Sequence, residues 1–112
     1  MATCEELAAM LVTNQTQLAM ANSSLNSTNL AIASASLGIL GSDAGAIVPL
    51  TAGNIAIRMA QLYAQNPPNY ALLAQYAALS GYLALWASTT AQIAFIQLTI
   101  TGIQQAQANQ NC

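Results

Sequence analysis

The stretch Leu11-Val12-Thr13-Asn14-Gln15-Thr16-Gln17-Leu18-Ala19-Met20-Ala21-Asn22-Ser23-Ser24-Leu25 carries a leucine at every seventh position. Followed outward, the row becomes Cys4, Leu11, Leu18, Leu25, Ile32 and Ile39. A companion row runs beside it through Leu7, Asn14, Ala21, Thr28 and Ala35. Large residues in one row and small or polar residues in the next describe a helix that packs closely along a single seam. The pattern predicts a helix over about 3–37, roughly 50 Å long at 1.5 Å per residue. Thr3 supplies an N-cap, and Glu6 three residues later completes a capping box. Glu5 and Glu6 both sit where a helix N-terminus favours negative charge. The run Asn22–Asn29 is a poor helix former, so neighbours must hold the helix through it.

Beyond this segment, residues 38–49 contain three glycines, Asp43 and a closing Pro49, and read as an apolar, Gly-rich loop. Residues 50–65 read as a second, shorter helix with Ile55, Met59, Leu62 and Tyr63 on one face and Arg58 within it. Asn66-Pro67-Pro68-Asn69 is a stop, because neither proline donates a backbone hydrogen bond and each restricts the residue before it. The last helix is expected over about 70–108. Leu72, Leu79, Trp86, Ile93 and Ile100 repeat every seven residues, with Tyr82, Thr89, Ile96 and Ile103 adjacent and a polar tail, 104–111, expected to fray. No segment alternates like a strand. The expected fold is therefore all-α: a single domain over 1–112 with two long helices and a shorter middle one. Its antiparallel, hairpin-like packing is expected to be completed by other subunits. The assembly seam is assigned to Leu11, Leu18, Leu25, Ile32, Leu79, Trp86, Ile93 and Ile100.

Composition narrows the function. Of 112 residues only Glu5, Glu6, Asp43 and Arg58 are charged, and there is no histidine. One cation provides no basic surface for nucleic acid. Without histidine, Ser–His–Asp and Cys–His catalysis are excluded and the commonest metal ligand is missing. Glu5 and Glu6, about 100° apart on a helix, read as a helix start rather than a catalytic pair, and Asp43 reads as turn chemistry. Gly38-Ile39-Leu40-Gly41-Ser42 lacks the lysine and spacing of a phosphate loop. Tyr63, Tyr70, Tyr76, Tyr82 and Trp86 read as core or interface aromatics. No enzyme activity, cofactor or metal is expected. Asn, Gln, Ser and Thr supply 37 residues and Ala 24, and a nearly uncharged surface of this kind favours association.

Cys4 and Cys112 leave three readings open: free thiols, an intramolecular bond that needs Cα atoms within about 7 Å, or a cross-link between copies. Cytoplasmic synthesis, suggested by the lack of a basic leader before the acidic Glu5-Glu6 pair, opposes early disulfide formation and leaves later oxidation of an assembled particle open. For the same reason Asn14-Gln15-Thr16, Asn22-Ser23-Ser24 and Asn26-Ser27-Thr28 are read as composition rather than glycan sites. Residues 77–96 are apolar enough to approach a membrane span, but include Ser80, Ser88, Thr89, Thr90 and Gln92 and lack flanking basic residues. If acidification drives a change, Glu5, Glu6 and Asp43 are the candidate side-chain sensors.

In size, charge and Ala/Gln/Asn/Ser/Thr content, with stretches such as Ala60-Gln61-Leu62-Tyr63-Ala64-Gln65 and Ser88-Thr89-Thr90-Ala91-Gln92, the whole chain resembles the Reb proteins of bacterial R bodies. The resemblance implies a cytoplasmic structural protein that polymerises, with copies of itself and a related small subunit, into a coiled ribbon. Such a ribbon extends on acidification and disrupts membranes, which are its target rather than its residence. Two other readings stand beside it: a pilin-like, membrane-inserted helical subunit, and a coat or shell protein cross-linked through Cys4 and Cys112.

Overall fold

The computed structural model describes residues 2–112. The chain is all-α, with two long helices and a shorter one between them: α1 (Cys4–Ser42), α2 (Ala52–Tyr63) and α3 (Tyr70–Asn109). No strand occurs among the described residues. α1 opens on the expected capping box: the Thr3 amide donates to Glu6 Oε1 at 3.3 Å and the Glu6 amide to Thr3 Oγ1 at 3.1 Å. Its buried and half-buried residues include Leu7, Leu11, Asn14, Leu18, Ala21, Leu25, Thr28, Ile32, Ala35 and Ile39, alternating four- and three-residue steps. Both heptad rows therefore face inward, apart from the exposed Cys4. The helix passes unbroken through Asn22–Asn29.

Several expectations need correction. The loop expected from Gly38 begins later, because α1 continues to Ser42. Ile39, the next residue of the seam, is completely buried, and the Asp43 amide closes the last turn on the Ile39 carbonyl at 2.8 Å. That burial outweighs the helix penalty of Gly38 and Gly41, about 1 kcal/mol each. On α3, Tyr82 and Trp86 are 38% and 42% exposed rather than in the seam. The inward residues step 72, 76, 79, 83 and resume at 89, 93, 96, 100 and 103. Around residue 86 a three-residue step replaces a four-residue one, so the inward face changes register there. The tail 104–111 is helical as far as Asn109. Its end is a Schellman motif: the Cys112 amide donates to the Gln107 carbonyl and the Asn111 amide to that of Ala108, at 3.0 and 3.2 Å. Asn111 adopts the left-handed φ of 55° that this motif requires.

The chain forms two compact units, one comprising residues up to Asn26 together with Ala87–Cys112, the other Ser27–Trp86. In the first, the two helical halves run antiparallel, with Leu7, Thr89, Ile93 and Ile103 buried, and a disulfide joins Cys4 to Cys112. The second has a three-helix core of Ile39, Ile55, Leu62, Leu72, Tyr76 and Leu79. Here α2 is placed by Thr51, whose Oγ1 accepts from the Asn54 amide at 3.3 Å, and turns Ile55 and Leu62 inward. Tyr63, expected on that face, is 68% exposed, because it ends the helix beside the Pro67-Pro68 turn. Asn69 Oδ1 then caps α3 by accepting from the Leu72 amide at 3.2 Å.

The helical state of Gly38 is open to test. A Cβ at Gly38 or Gly41 meets no atom within 4 Å, so Gly38→Ala and Gly41→Ala should each raise stability by up to about 1 kcal/mol. The check is the urea midpoint. No gain at either position would argue for a non-helical 38–42.

Candidate functional site

The most polar interior site lies in the Ser27–Trp86 unit and unites all three helices on one carboxylate. Asp43 follows the last turn of α1, Arg58 lies on α2 and Tyr76 on α3. Arg58 Nε donates to Asp43 Oδ2 at 2.8 Å and Nη2 to Oδ1 at 2.7 Å, the two-pronged geometry that suits a planar guanidinium. The Tyr76 hydroxyl donates to Oδ2 at 2.7 Å, and the Gly45 amide to Oδ1 at 3.1 Å. Each carboxylate oxygen thus accepts two hydrogen bonds. Arg58 Nη1 donates outward to Gln61 Oε1 at 3.1 Å. The Asp43 side chain is 3% exposed and that of Arg58 15%. The backbone approaches closely at Gly45, where a Cβ would stand 2.6 Å from Arg58 Nη2.

The electrostatics follow from this geometry. Hydrogen bonding from Arg58 holds the Asp43 carboxyl far below its ordinary 3.8, against burial, with Tyr76 and the Gly45 amide assisting. Arg58 is raised in turn by its bond to Asp43. Tyr76 is pushed up to about 12, first by burial and then by its bond to Asp43. Asp43 is therefore withdrawn as an acid sensor: its folded carboxyl titrates below its unfolded value, so its contribution is complete above 3.8 and is lost only as pH falls through the folded one. With every acceptor position filled, the site holds three helices together and presents no free base.

The other candidate residues lie apart from it. Glu6 belongs to the capping box and Glu5 to the same exposed first turn. Cys4 and Cys112 come together as an intramolecular disulfide with Cα atoms 5.7 Å apart. Each sulfur is thereby paired within its own chain, so a cross-link between copies would first require this bond to open. Closing a chain over a separation of 108 residues stabilises the fold by about 5 kcal/mol in the loop-entropy account. Of the seam residues, Leu79 and Ile93 are buried, while Leu11, Leu18, Leu25, Ile32 and Ile100 are half-buried. A shallow groove of about 310 Å³ lies between α1 and α3 in the Ser27–Trp86 unit, lined by Ala31, Ser34, Ala35, Gly38, Gln75, Ala78 and Tyr82. It contains no nucleophile–base pair. Among the described residues no group of three His, Cys, Asp or Glu side chains could hold a metal ion.

Asp43, Arg58 and Tyr76 stand apart in the sequence, and no local pattern joins them. The signal was scarcity: Arg58 is the only cation and Asp43 the only acid after Glu6, and both sit within apolar segments. An unpaired charge there would be costly to bury. No family model, curated protein or solved structure matches the chain.

Two substitutions test the site. Asp43→Asn should lower unfolding stability by about 3 kcal/mol, because it leaves Arg58 without its anion. Tyr76→Phe should lower it by about 1–2 kcal/mol at neutral pH. In the parent chain, the Tyr76 contribution is complete below its unfolded value of 10.0 and is lost as pH rises through about 12. Urea titrations from pH 9 to 12 should show that loss in the parent and a shallower one in Tyr76→Phe.

Proposed function

We propose that this chain is a structural subunit that self-assembles through the outer faces of its two long helices. The observation that carries the reading is where the charge goes. Asp43 and Arg58 neutralise each other inside, leaving Glu5 and Glu6 as the outward charged side chains of the described chain. Large apolar side chains stand outside instead: Leu30 and Leu37 on α1 are 73% and 71% exposed, and Phe95 and Leu98 on α3 are 71% and 72% exposed. Helices that are apolar beyond their buried seam call for further burial. Outward hydroxyls also satisfy themselves locally. Thr13, Thr16, Thr99 and Thr101 each donate to the carbonyl four residues earlier, at 2.9–3.0 Å. Covering these four threonines therefore leaves no hydroxyl donor unpaired.

The sharpest form of the proposal is an R-body-like ribbon, held as a cytoplasmic inclusion, that extends on acidification and disrupts membranes. With Asp43 locked, its acid response falls to Glu5 and Glu6. Both lie in the first turn of α1, and small biases in many subunits sum along a polymer. The Cys4–Cys112 bond argues against a lasting stay of the oxidised form in a reducing cytosol, so we assign its closure to a stage after assembly. A second reading has its own support: α3 is long and apolar enough to cross a membrane, its most apolar stretch having a mean hydropathy of 1.3 with 6% of residues buried. That is the pilin-like, membrane-inserted alternative.

Expression in the bacterial cytoplasm, cell fractionation and negative-stain electron microscopy at pH 7 and about pH 5 distinguish the two. The assembly reading expects sedimenting ribbons or sheets without detergent. A change of shape at the lower pH should be lost in Glu5→Gln/Glu6→Gln. Recovery only from the membrane fraction, in detergent, would replace it with the membrane reading.

A further inference from the structure

We propose that the Cys4–Cys112 disulfide is a redox clasp: it keeps the two helical halves of its own unit paired, while the Ser27–Trp86 unit holds without it. This inference does not rest on the assembly proposal.

Both sulfurs are held by structured helix ends. Cys4 is the first residue of α1, directly after the Thr3 cap and within the Thr3–Glu6 capping box. Cys112 closes the Schellman motif, its own amide bonded to the Gln107 carbonyl at 3.0 Å and Asn111 in the left-handed conformation. Both cysteines are exposed, so a soluble reductant reaches them. The chemistry is thiol–disulfide exchange with a small dithiol. One thiolate attacks a cysteine sulfur, breaking the Cys4–Cys112 bond and forming a mixed disulfide, and the displaced cysteine leaves as thiolate. The second thiol of the reductant then displaces the remaining cysteine. The protein gains two electrons and, with two protons, ends with two thiols; the dithiol ends as its cyclic disulfide.

The two units differ in what else holds them. The Ser27–Trp86 unit has three helices, the core from Ile39 to Leu79 and the Asp43–Arg58–Tyr76 lock. The clasped unit has two helical halves and no third helix. Its seam includes the polar Asn14, the small Ala21 and the buried Thr89 among its aliphatic residues, and helices of this length rely on packing for stability. At the end away from the disulfide, the unit borders on poor helix formers: Asn22-Ser23-Ser24 precedes its limit at Asn26, and Ser88-Thr89-Thr90 follows its start at Ala87. Loss of the covalent closure therefore falls on the unit with the fewest other constraints, and its opening uncovers Leu7, Leu18, Ile93 and Ile103.

The test is amide hydrogen exchange, read by mass spectrometry on the full chain held in mild detergent, before and after reduction with dithiothreitol. Alkylation first checks the bond, and the oxidised chain should take up no label. On reduction, amides within 7–21 and 90–107 should exchange at least about tenfold faster, whereas those around Ile55, Leu62 and Tyr76 should change less than about twofold. Cys4→Ser/Cys112→Ser should show the same pattern without reductant. Alkylation of both thiols before reduction, unchanged exchange in the clasped unit, or equal acceleration in both units would each overturn the proposal. Failure of the chain to form particles leaves this readout unaffected.

Discussion

One buried carboxylate organises the three-helix part of this protein. Asp43 accepts from Arg58 on α2, from Tyr76 on α3 and from the Gly45 amide in the segment between α1 and α2. Hydrophobic burial is nondirectional and would tolerate several rotations of α2 against the long helices. A two-pronged guanidinium–carboxylate pair is directional. It aligns α2 so that Ile55 and Leu62 enter the core, and joins it to α3 through the Tyr76 hydroxyl. In a chain with so little charge, this ion pair supplies orientation that aliphatic packing does not.

Among the described residues, the other unit holds no comparable ion pair. In the clasped unit, two helical halves meet along an interleaved seam and are closed by a covalent bond. The local devices at its ends, a capping box and a Schellman motif, satisfy backbone groups that a helix terminus otherwise leaves open. They also bring the two cysteines into bonding position. Restraint is thus divided: electrostatic and apolar in one unit, covalent and apolar in the other.

The same economy of charge shapes the exterior. Directing Asp43 and Arg58 inward leaves a surface of alanine, amides, hydroxyls and large aliphatic side chains, with the outward charged side chains of the described residues confined to the first turn of α1. Like-charge repulsion between copies is weak under these conditions. The apolar residues outside the seam, Leu30, Leu37, Phe95 and Leu98 among them, then favour covering those faces. Self-assembly as a proposed function follows from this balance. It needs no pocket chemistry, and the small-residue groove offers no catalytic pair.

The sequence by itself determined the helices. Heptad rows from Leu7 to Ile39, the Thr3–Glu6 box and the Asn66–Asn69 stop are local patterns, and each appears where its local physics predicts. Only the tertiary structure decided the rest, because the deciding partners are distant in sequence. Ile39 carries α1 past Gly38 through burial against α2 and α3. Tyr76, rather than Tyr82, enters the core, because the inward register of α3 depends on the surface it packs against. Asp43 becomes a locked anion instead of a sensor once Arg58 and Tyr76 converge on it. Cys4 and Cys112 pair because the antiparallel halves bring their Cα atoms to 5.7 Å, a distance that spacing along the chain does not encode.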